Sequence, residues 1–173
     1  MPVSRPVVLI PTYNTGPLLP VTVSAALAQD VPVVVVVDGS ADGSPELLKP
    51  LLANPLLEVI TLEKNSGKGS AVMTGTQRAL ERGYTHVLCM DADGQHPAES
   101  IAGFFGLSAR HPEAAVFGRP IFDDSAPALR VNGRKISNFW ANLETVGWGI
   151  DDSLFGMRLY PAQGLLDVLE STC

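Results

Sequence analysis

The chain has 173 residues, 46% hydrophobic and 17% charged, enough for one sizeable core and inconsistent with a disordered polymer. A formal charge of -6, with no run of Lys or Arg, argues against general nucleic-acid binding, so an anionic ligand needs a local cation. Two cysteines make no disulfide framework, and no apolar run reaches the length of a signal-peptide core or a membrane span. The expectation is one domain, 1–173, in a reducing cytoplasmic setting, at most peripheral to the inner face of a membrane.

Strand and helix signals alternate regularly. Val7–Ile10, closed by Pro11, reads as a strand buried on both faces, and Leu18–Gln29 follows with helical spacing. Val33–Val37 has no polar alternation at all and ends in Asp38-Gly39-Ser40, before a helix over Pro45–Leu52. Leu57–Leu62 is a third strand; Asn65-Ser66-Gly67-Lys68-Gly69-Ser70 leads into a helix over Ala71–Arg82. His86–Met90 is the fourth strand, Pro97 starts a helix running to Arg110, and Ala114–Gly118 is the fifth strand. The rhythm then breaks. Arg119–Leu129 reads as an irregular, mobile loop, followed by a helix over Val131–Thr145, a strand over Leu154–Tyr160 and a helix from Pro161 to Glu170. The pattern is α/β, a mostly parallel central sheet with helices on both faces.

In such a sheet ligands collect beyond the carboxyl ends of the strands, where Tyr13, Asn14, Asp38, Lys68, Asp91 and Asp93 are all carried. Asp91 and Asp93 leave the fourth strand two apart, so on an extended segment both carboxylates face one way. Hard oxygen ligands suit Mg2+ or Mn2+, and such a cation holds the oxygens of a diphosphate. The alternative is a plain turn, since Asp and Gly are ordinary turn residues. Likewise Asn14 reads also as a turn former, Asp38 as a helix cap and Lys68 as a solvated charge. Trp140 and Trp148, flanking a helical stretch with Phe139, read as core. Gly67-Lys68 is followed by Gly69 rather than Ser or Thr, which excludes a Walker loop. The first strand lacks the Gly-x-Gly-x-x-Gly turn of dinucleotide binders.

Pro11-Thr12-Tyr13-Asn14, Val37-Asp38-Gly39-Ser40, Asn65-Ser66-Gly67-Lys68-Gly69 and Asp91-Ala92-Asp93 together resemble family 2 glycosyltransferases, over about Val7 to Tyr160. Asp91-Ala92-Asp93-Gly94-Gln95-His96-Pro97 and the later Asp152-x-x-x-Gly156-Met157-Arg158-Leu159-Tyr160 are similar to the branch containing dolichol-phosphate mannose synthases. The resemblance implies the GT-A fold, inversion at the sugar's anomeric carbon and a nucleotide-diphosphate sugar donor. It sets Pro11, Tyr13, Asn14 and Asp38 around the nucleoside, and Asp91, Asp93 and Gln95 around a divalent cation and the diphosphate. Arg119 and Arg134 fall where the polyprenol-phosphate branch contacts its phosphate, which points toward a lipid or polyprenyl phosphate; either arginine reads equally as half of a surface ion pair, and the acceptor stays unidentified. Two features depart from the pattern: Gly118–Ser125 is not the usual lipid-phosphate loop, and the chain stops earlier than the family's catalytic domains usually do.

Asp152, four residues before Gly156, holds the register of the family's acid and is the candidate base for a hydroxyl acceptor; its plainer reading is a turn cap or a partner of Arg158. Two other functions compete: a nucleotidyltransferase, which needs a Gly-rich phosphate loop that Pro11–Gly16 does not supply, and a nucleotide-sugar-binding module without activity.

Overall fold

The computed structural model describes residues 4–118 and 156–172. The chain divides into two compact units, Met1–Val116 with Met157–Cys173, and Phe117–Gly156. The loop expected over Arg119–Leu129, the helix over Val131–Thr145 and both Trp residues lie outside the described residues.

Six strands form one sheet: β1 (Pro6–Thr12), β2 (Val33–Asp38), β3 (Leu57–Leu62), β4 (His86–Cys89), β5 (Val116–Phe117) and β6 (Arg158–Pro161), in the order β3-β2-β1-β4-β6-β5. β1 pairs in parallel with β2 and β4, and β2 with β3, whereas β6 runs antiparallel to β4. The helices are α1 (Leu18–Leu27), α2 (Lys68–Glu81), α3 (Ile101–Arg110) and α4 (Ala162–Thr172). No described helix is long and apolar enough to cross a membrane.

β1 and β2 have helices on both faces, which explains why both are apolar without alternation: Val7–Ile10 and Val33–Val37 are at most 2% exposed. On one face the residues of α2 that recur with helical spacing, Ala71, Val72, Gly75, Thr76 and Ala79, are buried, and Val72 joins Leu9, Val36 and Ala162 in a single apolar cluster. Gly75 is what lets α2 lie so close to the sheet, because a Cβ there would come within 2.2 Å of Leu9 Cδ1.

Four boundaries differ from the expectation for identifiable reasons. β1 continues through Pro11 because β4 ends opposite Leu9, and Leu9 O accepts from Met90 N–H on that side. Pro11, two residues on, therefore turns its missing N–H toward the side β4 has vacated and costs no ladder bond. The segment Ser44–Leu51 is a 3-10 helix rather than an α-helix, since in α geometry the Pro50 ring would clash with the carbonyl of Glu46, four residues back. α2 starts three residues early, at Lys68, because Gly67 takes a positive φ of 91° and supplies the break. Pro97 stays extended (ψ 114°), and a 3-10 turn, Ala98–Ser100, precedes α3.

At the amino end of β4, buried His86 ties three segments together. Its Nε2–H donates to Pro112 O at 2.9 Å, which leaves Nδ1 to accept from the Ser4 or Thr85 hydroxyl, at 3.3 and 2.9 Å. This network belongs to the end of the sheet opposite the strand termini discussed next.

Candidate functional site

Loops leaving the carboxyl ends of β1 to β4 converge on a cavity of about 350 Å³. Pro11, Tyr13, Asp38, Lys68, Asp91 and Asp93, all expected there, line it, together with Thr12, Thr15, Asn65, Gly67, Ala71 and Ala92.

The first two loops are laced to each other by short side chains. Asn14, with a positive φ of 49°, donates its N–H to Ser40 Oγ (3.0 Å) and accepts from Ala41 N–H on Oδ1 (3.0 Å). Gly16 N–H donates to Asp42 Oδ2 (2.8 Å), while Asp42 Oδ1 accepts from the hydroxyl and the N–H of Ser44. Those Ser44 bonds hold the Asp42 carboxyl below the usual range. Thr12 and Thr15 hydrogen-bond through their hydroxyls, closing the turn after β1. Tyr13 projects from this framework, 49% exposed, at the cavity wall.

Asp38 ends β2 only 2% exposed, and its two oxygens accept from Ser66 N–H and Gly67 N–H, each at 2.8 Å. It thus anchors the loop that starts α2, as a cap would, while lining the cavity. Gly39 allows the two loops to touch, since a Cβ there would meet Asn65 N at 2.3 Å.

Lys68 follows directly, and its ammonium contacts Asp91 Oδ1. The His96 Nε2 stands 3.8 Å from Asp91 Oδ2. Burial pushes the Asp91 carboxyl up, but the His96 ring and the Lys68 ammonium outweigh it and hold the group below the usual carboxylate range. Asp91 is therefore an anion at neutral pH. Burial drives the neighbouring Cys89 thiol up to about 12, so it is a packed apolar group rather than a nucleophile.

The argument from strand alternation does not hold for Asp93. β4 ends at Cys89, Ala92 and Asp93 lie in a turn closed at Gly94 (φ 72°), and Asp93 Oδ1 accepts from Gln95 N–H at 3.0 Å. The turn, not an extended segment, brings both carboxylates to the cavity, so the turn reading and a shared ligand are compatible. α1 steadies this turn, with the Thr22 hydroxyl 3.2 Å from Ala92 O.

Asn14 and Gln95 are exposed and lie outside the lining, and the Asn14 carboxamide oxygen is engaged by the loop after β2. Arg119, Arg134 and Asp152 fall outside the described residues. The lacing acid Asp42 was not singled out from the sequence; its signal was the Asp-Gly-Ser run that invites an Asx turn. Asn65 and Thr12 belong to the motifs shared with the family, and both line the cavity.

Among the described residues, no group of three or more His, Cys, Asp or Glu is placed to share a metal. Mg2+ and Mn2+ take one or two carboxylates and leave the remaining positions to water and phosphate oxygens. Asp91 and Asp93, facing one open cavity, fit this description.

The chain is 32% identical over 166 residues to polyprenol monophosphomannose synthase of Mycolicibacterium smegmatis, covering 92% of this chain and 62% of that protein. It is 31% identical over 187 residues to undecaprenyl-phosphate mannosyltransferase of Micrococcus luteus, covering 96% and 72%. The solved mannosyltransferase PcManGT of Pyrobaculum calidifontis, in complex with GDP-Man and Mn2+, superposes with a TM-score of 0.67 at 21% identity, covering 96% of this chain and 47% of that one. The chain therefore spans less than two thirds of the mycobacterial protein and about half of the archaeal one. The fold is GT-A. The model of the family described as glycosyl transferase family 2 matches residues 7–164, and the chain belongs to that family.

Proposed function

We propose that the protein transfers a sugar from a nucleoside-diphosphate sugar, inverting the anomeric carbon, with Mg2+ or Mn2+ held by Asp91 and Asp93. One observation carries the reading: Asp38, Lys68, Asp91 and Asp93 line a single cavity at the carboxyl ends of parallel strands. Its lining combines two kinds of chemistry. Tyr13 and Asp38 suit a base and ribose, the aromatic ring by stacking and the carboxylate by accepting hydrogen bonds. Lys68, Asp91 and Asp93 suit a cation and a diphosphate. When bound, the cation neutralises charge developing on the departing diphosphate.

The polyprenol and undecaprenyl-phosphate names of the relatives, and the GDP-Man and Mn2+ of the archaeal structure, support mannose as the sugar, a guanosine donor and a polyprenyl phosphate acceptor. Arg119 and Arg134 are the proposed phosphate contacts, and a lipid acceptor requires peripheral contact with a membrane surface. Pro11, Asn14 and Gln95 complete the proposed site, Asn14 through the loop it fixes. Asp152 is the proposed base for a hydroxyl acceptor; a phosphate, ionised at neutral pH, needs none. The single domain, 1–173, is proposed on the same footing.

The test is a thermal-shift panel of nucleoside diphosphates with and without Mn2+, because a ligand that binds only the native state raises its melting temperature by mass action. GDP with Mn2+ should give the largest shift. A flat panel contradicts the reading, and a nucleotide that stabilises without yielding any transfer product supports the binding module instead.

A further inference from the structure

Lys68 pairs with Asp91, the carboxylate to which the proposed cation is assigned. The ammonium contacts Asp91 Oδ1, and the other oxygen of that carboxylate faces His96 Nε2 at 3.8 Å. The backbone under Lys68 is fixed, since it is the first residue of α2 and the preceding Gly67 N–H is held by Asp38 Oδ2. The side chain is not, being 63% exposed on a four-carbon stem, whereas Asp91 is 30% exposed. A cation in the first turn of a helix also sits against the positive end of the dipole, so Lys68 needs an anion close by, and Asp91 supplies it.

We infer that Lys68 is a built-in competitor for the divalent cation at Asp91, handed to the diphosphate when the cation enters. This rests on the metal-and-diphosphate reading above and adds a regulation to it. A cation binding alone must separate the Lys68–Asp91 pair and leave an ammonium facing a dication. A cation arriving with a diphosphate gives the ammonium a new anion at the N-terminus of α2, within reach of the same cavity. Cation and nucleotide therefore bind cooperatively, each raising the affinity of the other by one common factor.

The experiment measures Mn2+ affinity on the full chain by the electron paramagnetic resonance signal of free Mn2+, with and without GDP, for the parent, Lys68→Met and Lys68→Arg. Lys68→Met should bind Mn2+ alone about threefold to fivefold more tightly than the parent, the order expected for removing one largely exposed competing charge. Its gain in Mn2+ affinity on adding GDP should shrink. Lys68→Arg keeps the charge and should bind Mn2+ alone no better than the parent, which separates competition from a general loosening of the loop. Equal or weaker Mn2+ binding by Lys68→Met, with the parent binding Mn2+, overturns the inference and leaves the metal reading standing. No Mn2+ binding by the parent even with GDP overturns the metal reading, and the inference with it.

Discussion

Asp38→Ala removes a carboxylate that is only 2% exposed and that holds two backbone amides at 2.8 Å. Each hydrogen bond involves a charged acceptor, and each orphaned N–H costs about 1–3 kcal/mol if no new partner is found. Ser66 and Gly67 border an open cavity, so water recovers part of that loss, and the net cost should be about 2–4 kcal/mol. For a chain of this size that lowers the melting temperature by roughly 5–15 °C. Function should suffer too: the carboxylate is the proposed nucleoside partner, and its loop carries Lys68 to Asp91, so GDP affinity should fall with or without Mn2+. Urea denaturation and GDP titration on the same preparations separate the two roles, with Asp38→Asn, which keeps one acceptor, falling between parent and Ala on stability. An unchanged urea midpoint refutes the anchoring role. A loss of GDP affinity seen only with Mn2+ would move Asp38 to the cation site.

Gly39→Ala puts a Cβ 2.3 Å from Asn65 N at a φ of +64°, so it should destabilise by about 2 kcal/mol or more and weaken GDP binding, checked by urea denaturation and titration calorimetry. Glu58 is partly buried, which raises its carboxyl, but Arg78 and Arg82 outweigh that and hold it below its ordinary value of 4.5. The bond to these arginines therefore stabilises the protein above that value and is lost as pH falls through the depressed one; Glu58→Gln should cost up to about 1 kcal/mol at pH 7 and nothing near pH 2, read from urea midpoints across pH. Asp152→Asn should lower transfer to a hydroxyl acceptor by about 100-fold while sparing GDP and Mn2+ binding; near-normal transfer in a product assay removes Asp152 from the catalytic set and favours the phosphate acceptor.

The parallel core was legible because unbroken runs such as Val33–Val37 have no explanation in a half-exposed strand. The site was legible in outline because its residues sit where those runs stop. What the sequence hid is tertiary. Nothing local to Pro11 says that its neighbour β4 ends two residues earlier, and that alone lets the strand run on. Asp38 reads as a ligand or a cap, and only the approach of Asn65 and Gly67 to β2 lets it anchor a loop while lining the cavity. Asp91 and Asp93 were paired for the wrong geometric reason, since a turn achieves what strand alternation was expected to do. Nothing local to Asn14 shows that its carboxamide oxygen accepts from Ala41 N–H, because the loop after β2 is remote in sequence.

The most direct measurement is calorimetric titration of GDP into the parent and Asp93→Asn, with and without Mn2+. Asp93 makes one backbone hydrogen bond in its turn and is only half-buried, so the variant should fold with a nearly unchanged melting temperature. Mn2+ should strengthen GDP binding by the parent at least about tenfold and leave the binding of Asp93→Asn almost unaltered. Equal Mn2+-dependent gains in parent and variant would contradict the assignment of Asp91 and Asp93 to a shared cation.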